Sequence, residues 1–169
     1  MRTNTFVRDM DLEGVHVLDG RKLEVVADGL TLWHGTQLAI DTTLVSPLHR
    51  DGTARRTAAD RNGAALQQAR RLKESTYPEL SGEGGRARLV VLAAEVGGRW
   101  SEETAQFLRA LAKAHAQTAP LILQNRVKAA WLRRWSNVLA CSAARAFALS
   151  LLDKHPSPGT GAEVLRCMR

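Results

Sequence analysis

Hydrophobic and polar positions alternate most clearly between Gln37 and Val45 (QLAIDTTLV). Leu38, Ile40, Thr42 and Leu44 fall on one side of an extended chain, and Ala39, Asp41 and Thr43 on the other. β-Branched residues gather at the centre and end of this segment, which is the strongest predicted strand, stopped by Pro47. Lys22–Ala27 (KLEVVA) reads as a second strand, followed by an Asp28-Gly29 turn. Before it, Val15, Val17 and Leu18 hint at a short strand ending in Asp19-Gly20, a hairpin turn signal. Arg88–Val96 is an apolar run of strand length closed by Gly97-Gly98, the pattern of a buried strand.

Helical spacing appears in three places. Over 64–77, Ala65, Leu66, Ala69 and Leu72 form an apolar stripe that ends at Pro78. Ser101 is placed to cap a helix running to about Gln117, with Glu102 and Glu103 in its first turn and Phe107, Leu108 and Leu111 on its core side. After Pro120, residues 124–152 form a long Ala- and Leu-rich helix holding Arg126, Lys128, Arg133, Arg134 and Arg145 and no acid. Residues 47–62, with Arg55 and Arg56, read as a long exposed loop. Strands, helix, strand and helices in that order predict an α/β fold: a small mixed β-sheet flanked by helices, with a C-terminal helical extension. The expected division is a core over 1–120, a basic helix over 121–154 beside it, and a flexible tail over 155–169.

Composition narrows the partners. The 169 residues carry 24 Lys and Arg against 17 Asp and Glu, a net charge of +7, which favours polyanions. The sequence shows no apolar run near the ~20 residues of a membrane span and no leader at its start, so no membrane partner and an intracellular location are expected. No G-x-G-x-x-G or Walker loop is present, so a Gly-rich phosphate cradle is not supported. The two cysteines, Cys141 and Cys167, are too few for a disulfide framework or a zinc site, and Cys141 reads as a small core residue.

Asp41 stands out chemically, because a carboxylate in the middle of a strand demands an ion pair, a metal or an open surface. Asp28 ends the preceding strand, and a hairpin between the two would let both acids converge on a divalent cation such as Mg²⁺. The plainer reading of Asp28 is service to its Asp-Gly turn. Glu24 is the alternative ligand if the strand register differs, and Glu95 a further acid at a strand end. Arg70, Lys73 and Tyr77 share a helical face, from which Lys73 could meet a phosphate; a solvated basic face is the ordinary alternative. His34 and His49 lie in loops nearby and could move a proton. In WLRRW, Trp131 and Trp135 lie one turn apart; they either stack on bases or pack on the sheet domain, with Arg133 and Arg134 outside.

These residues carry a resemblance. Ala27-Asp28, twelve residues, then Asp41-Thr42-Thr43-Leu44-Val45, then Lys73-Glu74-Ser75-Thr76-Tyr77-Pro78 resembles the restriction-endonuclease-like domain of site-specific non-LTR retrotransposons, a branch of the PD-(D/E)xK nucleases. That pattern has an Asp after Pro, twelve to fourteen residues, a second Asp on a strand, and a helix bearing Lys and Tyr. The match covers Val25–Leu80, about a third of the chain, and residues 22–117 loosely. The resemblance implies that Asp28 and Asp41 hold Mg²⁺ or Mn²⁺, that Lys73 stands in for the lysine whose usual place Thr43 occupies, and that Tyr77 and Arg70 support them. It implies DNA nicking for retroelement integration, an upstream reverse transcriptase in a longer polyprotein, and a nuclear site of action. Arg55, Arg56, Arg71, Arg133 and Arg134 are the expected nucleic-acid contacts. Departures are plain: Ala27 replaces the proline, Thr76 sits where a second lysine often precedes the tyrosine, and neither a Cys/His zinc knuckle nor a polymerase motif is present. The competing readings are a non-catalytic DNA- or RNA-binding module built on the basic helix, a decayed nuclease, and an interaction fragment of a polyprotein.

Overall fold

The computed structural model describes residues 1–29, 35–49, 51–82 and 85–152. The chain orders as β1 (Arg2–Phe6), β2 (Lys22–Ala27), β3 (Gln37–Val45), α1 (Ala64–Thr76), β4 (Ala87–Glu95), α2 (Glu102–Ala116) and α3 (Gln124–Leu152). Short 3₁₀ turns follow β1 (Val7–Met10) and α1 (Pro78–Leu80) and precede α3 (Leu121–Leu123). The four strands form a single sheet in the order β1-β2-β3-β4. β1 and β2 pair antiparallel, as do β2 and β3. At the far ends of β3 and β4, Val96 N donates to Val45 O at 2.9 Å, so these two strands run parallel and α1 is their crossover. The expected mixed α/β sheet with a long C-terminal helix is therefore present.

The first strand corrects the sequence reading. It lies at Arg2–Phe6, not around Val15–Leu18, and Val17 and Leu18 are exposed. RTNTF is an edge strand with its first three residues exposed, so it lacks the apolar alternation that marks a strand. Asp19-Gly20 is not a hairpin turn between two strands: the Asp19 carboxylate accepts from Arg21 N at 2.8 Å and holds the Arg21 side chain.

Contacts divide the chain into two units. The first comprises Met1–Thr42 and Gln68–Leu92. Its core is Val7, Leu23, Val26, Leu38, Ala39, Leu89, Val90 and Val91, each essentially inaccessible to water. Leu38 and Ala39 are adjacent and both buried, so β3 is covered on both faces at this point rather than half-solvated. The second unit comprises Thr43–Gln67 and the chain from Ala93 onward. There Ser101 caps α2 as expected, accepting from Thr104 N at 3.1 Å, and Phe107, Leu108 and Ala112 are buried.

α3 has no buried residue. Its inner stripe meets α2 through aromatic rings: His115 lies 4.1 Å from Trp131, edge to face, and Trp131 lies 5.1 Å from Trp135. The tryptophans thus pack on α2. Cys141, expected in a core, is exposed, because α3 is partnered along one side only. Leu121–Leu152 is long and apolar enough by composition to cross a membrane, with none of the span buried; alanines and terminal leucines raise its mean hydropathy despite the arginines. Asp153, the tail 155–169 with Cys167, and His34 lie outside the described residues.

Candidate active site

Glu24, Asp28, Asp41, Lys73 and Tyr77 all belong to the first unit. The register Val25↔Ile40, Val26↔Ala39, Ala27↔Leu38 decides which acids meet. One step beyond Val25↔Ile40 are Glu24 and Asp41. One step beyond the other end are Asp28 and Gln37, whose side-chain amide donates to Asp28 Oδ1. Asp28 and Asp41 are therefore separated by four residues of strand, roughly 13 Å at ~3.3 Å per residue. The structure does not bring these two together. Asp28 is half exposed, with Arg2 at 4.0 Å, and its turn continues through Gly29 at φ 71°, a conformation glycine adopts without steric cost.

Asp41 is 3% exposed and lies among buried strand residues. Lys73 Nζ stands 2.8 Å from its Oδ2. The ammonium thus ion-pairs with the buried carboxylate and supplies the partner that a charge in mid-strand demands. Lys73 reaches this point because it continues the α1 stripe Leu66–Ala69 at i+7 and i+4. Leu72, expected in that stripe, is 52% exposed instead, so the helix is turned by about one residue from the simplest apolar reading.

Glu24 completes the cluster. The Thr42 hydroxyl donates to Glu24 Oε2 at 2.5 Å. Burial, above all, raises the Glu24 pKa above the usual glutamate value; the Asp41 charge adds to this, while the Thr42 hydroxyl and the Lys73 charge oppose it. The raised pKa fixes the sign of a stability effect. Folding favours protonated Glu24, so this contribution is full below the ordinary glutamate pKa and is lost as pH rises through the raised one. Glu24→Gln should therefore melt higher than the wild type at neutral pH, with the gap closing on acidification. A pair of melting curves against pH checks this; a constant gap across the range would contradict it.

Tyr77 lies beside the same carboxylate. Its hydroxyl donates to Lys22 O at 2.8 Å. Burial, and then the adjacent Asp41 charge, hold the phenol's pKa well above its ordinary value, so it acts here as a neutral donor. Arg21 anchors this end of α1: its guanidinium pairs with Asp19 at 2.6 Å and Glu79 at 2.7 Å and donates to Thr76 O. Arg21 and Glu79 carry no signal in the sequence, and Asp19 reads there only as a turn residue. Their separation of up to 60 positions leaves no local pattern, although an Asp two residues before an Arg could have suggested a local pair.

The remaining expected residues are placed elsewhere. Arg70 pairs with Glu74 at 3.0 Å along α1. Arg71 and Arg56 are exposed, whereas Arg55 is half-buried, with its Nε inaccessible. In the second unit Glu95 is buried with Arg99 at 3.8 Å, and His49 takes part in a backbone turn with Thr53. Arg133 and Arg134 are exposed on α3, Arg134 lying 5.4 Å over the Trp131 ring.

Glu24 on β2 and Asp41 on β3 are neighbours by register, and carboxylates are the hard oxygen donors that Mg²⁺ takes while keeping several waters. Two observations bear on a cation there: Asp41 is buried and already holds the Lys73 ammonium at 2.8 Å, and the Asp41 charge acts on the partly buried Glu24. Among the described residues no three His, Cys, Asp or Glu side chains group around a metal position, so any further ligands would be water or substrate. Against known protein families, curated proteins and solved structures, the chain matches none.

Proposed function

We propose that this chain is a metal-dependent endonuclease domain that hydrolyses DNA phosphodiester bonds, with Glu24 and Asp41 as its metal-holding acids and Lys73 as its cation. The observation that carries the reading is the buried mid-strand Asp41 carboxylate, paired with Lys73 at 2.8 Å, with Glu24 on the neighbouring strand. Asp28 leaves the metal set in this reading, and Glu24 takes its place. A mixed sheet with acids on two neighbouring strands and a lysine on the following helix agrees with the restriction-endonuclease-like architecture that the sequence resembles.

A bound Mg²⁺ or Mn²⁺ would supply a Lewis acid that neutralises phosphate charge and acidifies a water. Glu24 and Asp41 would hold it. Lys73 would present its positive charge to the non-bridging phosphate oxygens as negative charge grows on them. Tyr77, a neutral phenol bonded to β2, fixes the end of α1 from which Lys73 projects. Water adds to phosphorus and gives up a proton to solvent, the P–O bond to the sugar 3′ oxygen breaks, and that oxygen takes a proton from solvent. By the resemblance, the nick leaves a 3′-hydroxyl for an upstream reverse transcriptase in a nuclear retroelement complex. Plasmid nicking by the purified chain in Mg²⁺ or Mn²⁺, stopped by EDTA, tests the activity; no nicking at any metal concentration would refute it.

A second reading has its own support. α3 places five cations over 29 residues with no acid and no buried residue, which suits a phosphate backbone independent of catalysis. In this reading the chain is a DNA- or RNA-binding module or a decayed nuclease. Replacing both Arg133 and Arg134 by Ala should flatten the salt dependence of DNA binding by about one unit of slope for each phosphate deprived of its cation. Fluorescence anisotropy across a salt series measures it, and an unchanged slope would exclude these two side chains from the DNA.

A further inference from the structure

The charge count in the first unit is unbalanced at one point. Glu24 and Asp41 stand on neighbouring strands, and one ammonium, that of Lys73, lies 2.8 Å from Asp41 Oδ2 while its charge also reaches Glu24. Lys73 is 21% exposed at its side chain and Asp41 only 5%, so the lysine stands between the acid and water. Its stem is unbranched and ends one turn before the C-terminus of α1, which leaves the ammonium free to swing without unwinding the helix.

We infer that Lys73 is the resident cation of this seat and that a divalent metal binds by exchanging with it at Asp41 Oδ2. The inference rests on the metal-site reading above and adds how that site is kept closed and then armed. Without metal, the ion pair meets the desolvation cost of the buried Asp41 and leaves Glu24 only partly compensated. A divalent ion neutralises both acids at once. It also repels the ammonium, which moves off Oδ2 toward the solvent side, where a phosphate would lie. The same lysine is thus a lock in the empty site and a phosphate contact in the loaded one.

Two measurements on the full chain test this without relying on turnover. The first is lysine acylation followed by mass spectrometry of the wild type, with and without Mn²⁺. Exchange requires Lys73 to be slow to label alone and several-fold faster with Mn²⁺, while Lys22, away from the ion pair, serves as the reference. The second is Mn²⁺ titration followed by electron paramagnetic resonance. Lys73→Met, if it folds, should bind Mn²⁺ about tenfold more tightly than the wild type, since a competing charge is gone. Saturable Mn²⁺ binding that requires Asp41 but leaves Lys73 labelling unchanged would overturn the exchange and keep the metal site. Absence of Mn²⁺ binding in the wild type would overturn both.

Discussion

Asp41→Asn should abolish metal-dependent nicking, lowering the rate by at least about a hundredfold, while leaving a folded chain. The substitution keeps the shape of the side chain and removes the charge that a hard cation needs. It also removes one half of the Lys73 ion pair, but Lys73 is on a helix surface and can turn its ammonium to water. Asparagine is therefore a cleaner probe than alanine, which would open a void in the covered part of β3. Plasmid nicking measured beside a thermal melt separates the two effects. A variant that melts near the wild type and no longer nicks supports Asp41 as a metal-holding acid. A variant that nicks at the wild-type rate removes Asp41 from the chemistry.

Lys73→Met should have the largest effect on stability. It keeps the length and the apolar stem but leaves the Asp41 carboxylate buried with no cation, a loss of about 3 kcal/mol at the lower end for broken buried pairs, since Lys73 retains some exposure. Asp41→Asn with Lys73→Met should recover much of this, because the pair is then removed as a whole. A double-mutant cycle by urea denaturation reads the coupling. A loss below about 0.5 kcal/mol for Lys73→Met alone would place the pair with exposed surface ion pairs, which contribute little. Nicking by Lys73→Met should fall as well, since its cation is the one that Asp41 holds beside the seat.

Much of this arrangement was legible from residue pattern. β3 announces itself through its β-branched run, and an ionised residue at its centre already demands a partner. The helix bearing Lys73 is bounded by Pro78, and the cap of α2 is written in Ser101 and the two glutamates after it. Register was not legible. Whether Asp28 or Glu24 stands beside Asp41 depends on how the chain closes between β2 and β3, and a shift of four positions along the strand exchanges a facing acid for a turn residue. Periodicity also misplaced Leu72, because the stem of Lys73 can extend an apolar stripe as well as a leucine can. β1 was hidden for the opposite reason. As an edge strand it is held by backbone pairing to β2, and its side chains carry little of the signal.

Glu24 is the residue at which the proposed site departs most from the simple sequence motif. The direct test is plasmid nicking in Mg²⁺ by three single variants: Glu24→Gln, Asp41→Asn and Asp28→Asn. The first two should lose nicking and Asp28→Asn should keep it, since Asp28 is half exposed and bonded to Gln37. Nicking lost in Asp28→Asn and retained in Glu24→Gln would contradict the site described here.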